Sequence, residues 1–75
     1  MGVESIEGGA LPPRLLRIVP FLAGGMDNHE IAEAASLAKH TVEEYVHELK
    51  ELLGEPNRVK LAMRCREMVK NGEVR

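Results

Sequence analysis

The chain has no tryptophan, and a single phenylalanine, tyrosine and cysteine among its 75 residues. One thiol, Cys65, cannot close a disulfide within the chain and excludes the Cys-rich zinc frameworks; a small hydrophobe in a reducing, cytosolic setting is expected there. Long apolar runs are missing too, and MGVESIEGGA has neither the basic nor the apolar region of a secretory signal, so no membrane association or export is expected. Ile6 stands where a myristoylation signal needs Ser or Thr, which closes that route as well. Positive charge is scarce: ten Lys and Arg against twelve Asp and Glu give a formal net charge of −2. That sign is opposite to the basic footprint of a domain that neutralises many phosphates. No Ser-His-Asp or Cys-His arrangement and no phosphate-cradling glycine loop can be drawn, so the chain reads as a non-enzyme without cofactor.

What is present is Leu, Ala, Val and Met at helical spacing, in a chain near the lower size limit for a self-sufficient core. Residues 1–10, with three glycines and two glutamates, read as a flexible N-terminal arm. Residues 11–75 read as one all-α domain of four helices. Pro12 and Pro13 can open the first helix, Leu15, Leu16, Ile18, Val19, Leu22 and Ala23 give it an apolar side, and Gly24-Gly25 ends it. Pro20 removes one backbone bond and crowds the carbonyl of Leu16, which predicts a kink or early fraying.

Asp27-x-x-Glu30 has the form of a capping box, so a second helix should begin at Asn28 and bury Ile31, Ala32 and Ala35. Ser36-Leu37-Ala38 reads as a brief turn. A third helix follows from about Lys39 to Leu53, with Val42, Tyr45 or Val46, Leu49, and Leu52 or Leu53 at three- and four-residue steps. Gly54 stops it. Asn57 is a good cap for a fourth helix reaching Asn71-Gly72. That last helix carries Ala62, Cys65 and Val69 along one row, with Leu61, Met63 and Met68 to either side. One row can cover the core while another meets a partner.

Two helices joined by a tight turn, the second of them longer, form the unit that places a helix in the major groove of DNA. The run LPPRLLRIVPFLAGGMDNHEIAEAASLAKHTVEEYVHELKELLGEPNR resembles the LuxR/GerE family of bacterial response-regulator output domains. The family pattern passes through LTxRE, a Gly-rich break, SNKEIA, a turn, TVKxH and KLxVxxR, and the likeness spans residues 11–62. Arg14, Leu22, Ala23, Gly25, Asn28, Glu30, Ile31, Ala32, Thr41, Val42, Leu53, Gly54 and Arg58 fall on its positions. The resemblance implies a four-helix LuxR-type helix-turn-helix domain that binds double-stranded DNA and controls transcription, with the fourth helix as homodimer contact.

Carried over residue by residue, the resemblance sets Thr41 and the start of the third helix on phosphate, with Lys39 and His40 beside it. Lys50, Arg58, Lys60 and Arg64 would meet flanking backbone, and Glu43, Glu44 and His47 would face base edges. Leu61, Met63, Cys65 and Met68 would form the dimer contact. The chain departs from the family at the reading face: Glu43 stands where the family has Lys, Glu44 follows it, Leu52 replaces a later Lys, and Ala38 replaces a capping Ser. A carboxylate there is repelled by phosphate unless it accepts from a cytosine amino group.

Alternatives to that reading are visible in the same residues. An acidic third helix suits a protein-interaction module that docks on a basic partner. Nothing in the chain could accept a phosphoryl group or a small autoinducer, so regulation would come from outside, for instance from a separate receiver. His40, Glu44 and His47 could share one side of a helix as metal ligands do, but no fourth ligand is evident, and a solvated mixed-charge face is the plainer reading. Arg14 and Glu30 could form an interhelical ion pair.

Overall fold

The computed structural model describes residues 11–72, so the flexible arm expected over residues 1–10 lies outside the described residues, as do residues 73–75. The elements are α1 (Pro13–Leu16), α2 (Val19–Ala23), α3 (Asn28–Ala35), α4 (Lys39–Leu53) and α5 (Arg58–Lys70). The first expected helix is thus two segments, α1 and α2, while α3, α4 and α5 are the expected second, third and fourth helices. Proline explains the division. Pro20 has no N–H to offer the carbonyl of Leu16, and two residues earlier Ile18 sits at φ −95, ψ −7 with its amide donating to Leu15 O at 3.1 Å. That tight turn keeps Leu15, Ile18, Val19 and Leu22 all enclosed.

Helix ends are closed largely by local chemistry. At the end of α2 the amide of Met26 donates to Phe21 O (3.2 Å) and that of Gly25 to Leu22 O (3.0 Å), a paired closure that needs the left-handed backbone of Gly25 at φ +83. The same closure ends α3 around Ser36, where Leu37 N donates to Ala32 O at 2.9 Å. Ser36 is there the one described non-glycine residue at positive φ, at +58. Gly54 repeats the arrangement after α4.

The core is apolar throughout: among the described residues no polar or charged side chain is buried. Leu15, Ile18, Val19, Leu22, Ile31, Val42, Leu49, Leu61 and Cys65 are its most enclosed members. Helix α2 lies against α5, α3 against α4, and α1 against α4. The open choices on α4 resolve to Val46 and Leu53 inside, with Tyr45 half-buried and Leu52 exposed.

On α5 the buried row is Leu61, Cys65 and Met68, because those side chains remove more apolar surface from water against α2 than Ala62 and Val69 would. Of the residues expected at the dimer contact, Leu61 and Cys65 at 0% exposure and Met68 at 2% pack in the core of the single chain. Met63, at 55%, is the only one of that set left outside, with Val59 one turn before it at 69%.

Candidate nucleic-acid interface

The geometry of the exposed ridge begins with the turn. Asp27 accepts the amide of Glu30 and Glu30 accepts that of Asp27, both at 2.9 Å, which fixes where α3 starts. Eight residues later the left-handed Ser36 turns the chain, and α4 sets off from Ala38 with an extended N-cap and no side-chain cap. Val42, Val46, Leu49 and Leu53 hold one side of α4 against the core. On the far side stand His40, Glu43, Glu44 and His47, all exposed, with Lys39 exposed at the first position and Thr41 and Lys50 half-buried.

Charges on α4 divide along its length. Glu48 accepts from Arg14 at 2.8 Å, with the Arg14 guanidinium 5.9 Å above the Tyr45 ring. His47 Nε2 lies 3.3 Å from Glu51. Glu43 and Glu44, in the first two turns, make no hydrogen bond or ion pair among the described residues. Glu30 is occupied by its own cap, so the interhelical Arg14–Glu30 pair considered from sequence does not form, and Glu48 takes the arginine instead. Among the described residues no three or more His, Cys, Asp or Glu are arranged to hold a metal ion.

The arginines turn out to be structural. Arg17 donates to Ala35 O (2.6 Å), Arg64 to Leu53 O (3.3 Å) and Arg66 to Ala23 O (3.5 Å), each the last residue of a helix. These are the carbonyls that an α-helix leaves without an internal partner, at the negative end of its dipole. Arg64 also holds Glu55 at 2.8 Å. Arg58, expected beside DNA backbone, directs Nη1 to Asn28 Oδ1 and Nη2 to Met26 O, both at 2.7 Å, and so ties the start of α5 to the start of α3. Sequence reasoning missed the capping arginines because their targets lie 18, 11 and 43 positions away. Lys39, Lys50, Lys60 and Lys70 make no such contacts among the described residues.

Cys65 is enclosed beneath α5, and burial pushes its thiol up to about 11, partly offset by the neighbouring Arg64. A thiol held protonated in this way is a poor nucleophile and metal ligand. No helix among the described residues is long and apolar enough to cross a membrane.

A short capped helix, a three-residue turn and a longer helix with a polar outer ridge, braced by flanking helices, define a helix-turn-helix domain. The chain belongs to the LuxR family: the family described as "Bacterial regulatory proteins, luxR family" (GerE) matches residues 10–65. It is accordingly a DNA-binding domain of the transcription-regulator kind. No individual curated protein and no solved structure matches the chain.

Proposed function

We propose that this domain binds double-stranded DNA with α4 in the major groove, and that it does so as a dimer. The observation that carries this reading is the uncapped start of α4. The amides of Lys39 and His40 make no hydrogen bond among the described residues, and they sit at the positive end of a helix of 15 residues whose outer ridge stands clear of the core. Such a terminus accommodates a backbone phosphate, with Lys39 and Thr41 beside it. His40, Glu43, Glu44 and His47 then face base edges.

Phosphate attraction in this arrangement rests on Lys39, Lys50 and Lys60, since Arg58 and Arg64 are engaged within the fold. Arg58 acts as a positioning residue for α3. For the dimer, Val59 and Met63, four residues apart on α5, offer an apolar contact that the monomer leaves uncovered. A small footprint per subunit makes pairing useful, because two half-sites double the phosphate contacts.

Titrating salt against binding to random duplex DNA tests the reading. Three lysine contacts predict a slope of log K against log salt near −3 per subunit, at about −0.9 per phosphate. Absence of any affinity at low salt would overturn it. A second reading, an interaction module for a basic protein, is favoured by one observation: α4 carries four glutamates against two lysines. Glu43→Lys separates the two: under the first it loses sequence preference, whereas under the second it gains duplex affinity and abolishes partner binding.

A further inference from the structure

Building on the placement of α4 in the groove, we propose that Glu43 and Glu44 make this domain select C·G base pairs, with His40 reading the guanine beside them. Of the four carboxylates on α4, Glu48 is held by Arg14 and Glu51 faces His47, whereas Glu43 and Glu44 are exposed and without a partner among the described residues. The two unengaged carboxylates occupy the amino-terminal half of the helix, the half from which a docked helix-turn-helix reaches base edges. They are therefore placed for readout and not spent on the fold.

A carboxylate can only accept hydrogen bonds. The major groove offers it two donors, the cytosine N4 amino group and the adenine N6 amino group, while guanine O6 and N7 and thymine O4 are acceptors that repel it. Adenine sets its N7 acceptor beside N6 on the same base, so one carboxylate oxygen meets a lone pair; cytosine has no acceptor on its groove edge. Cytosine is thus the base that fits. His40, exposed and also without a partner among the described residues, has a ring N–H to give to guanine N7 or O6 of the same or the neighbouring pair. From His40 to Glu44 the helix rises about 6 Å at roughly 1.5 Å per residue, which matches about two base pairs at roughly 3.4 Å each.

The same carboxylates lower affinity for DNA in general, because each is repelled by the backbone wherever no cytosine amino group meets it. Specificity then comes from rejecting other sequences as much as from binding the right one. That is how an acidic reading helix remains useful for a DNA-binding domain.

The experiment is enrichment of bound duplexes from a randomised pool by the full chain at low salt, followed by competition with altered sites. Two adjacent C·G pairs are expected in the enriched half-site, and changing either to T·A should weaken binding about tenfold, the usual worth of a good base contact. Glu43→Gln and Glu44→Gln, checked for unchanged helicity by circular dichroism, should each move one position toward adenine, which glutamine reads through N6 and N7. They should also raise affinity for random duplexes several-fold. Salt-dependent DNA binding without a C·G preference, or a preference unaltered in both glutamine variants, overturns the proposal and leaves DNA binding standing. No duplex binding at low salt, together with binding to oligolysine that Glu43→Lys abolishes, overturns both and makes the ridge a protein-docking surface.

Discussion

Asp27 closes the start of α3, whereas Ala38 leaves the start of α4 open. Around Asp27 two reciprocal hydrogen bonds of 2.9 Å satisfy amides that the helix itself cannot. At Ala38 no side chain among the described residues reaches the amides of Lys39 and His40. The carboxyl ends of both helices are finished alike, by a left-handed residue and by a distant arginine: Ser36 with Arg17, Gly54 with Arg64. The difference is therefore confined to one end of one helix. It shows how a short helix and a long one are secured: α3, with eight residues, draws on its cap, while α4 has four buried side chains along its length and can leave amides to an outside acceptor.

The contrast can be broken most severely at the buried side of α4. Leu49→Ala should cost about 3 kcal/mol, since it removes a fully enclosed leucine and leaves a cavity, and thermal melting should fall by at least 10 °C or so. A loss below about 1 kcal/mol would mean that α4 is held by its ends after all.

Next in size is a dependence on pH that arises from α5. The thiol of Cys65 is raised above its ordinary value in the folded state, so unfolding lets it ionise more easily. Stability is then unaffected below about pH 9 and falls as pH rises toward 11, by roughly 2 to 3 kcal/mol in all at about 1.4 kcal/mol per pH unit. Denaturant midpoints measured across that window check the sign, and Cys65→Ala should flatten the curve.

Removing the cap of α3 has a smaller effect: Asp27→Ala should cost about 1 kcal/mol, seen in melting, with binding to random duplexes changed little. Smallest is the addition of a cap to α4. Ala38→Ser should gain about 0.5 to 1 kcal/mol; no gain would show that those amides are already satisfied.

Much of this fold could be read residue by residue where the determinants are neighbours in sequence. The Asp27–Glu30 box, the Gly25 and Gly54 stops, the Asn57 cap and the interruption before Pro20 were all legible, because each depends on contacts within about five residues. The candidate reading face was legible too as a stretch of α4, and its departure in charge at Glu43 and Glu44 is plain from sequence. The availability of each charge was not. Whether a carboxylate is free or engaged depends on what another helix brings to it, as Arg14 of α1 does for Glu48.

By itself the sequence determined four helical stretches, their caps and stops, an apolar stripe on each, and the likeness that places the chain in a helix-turn-helix family. Only the tertiary structure decided which row of α5 is core, burying Leu61, Cys65 and Met68 and leaving Val59 and Met63 exposed. It alone assigned Arg17, Arg64 and Arg66 to helix ends and Arg58 to the start of α3, leaving the lysines as the cations clear of the fold among the described residues. The physical reason is one of range. Capping and backbone restriction act within a turn or two of the chain, whereas the pairing of a charge and the choice of a buried face depend on which helices pack together.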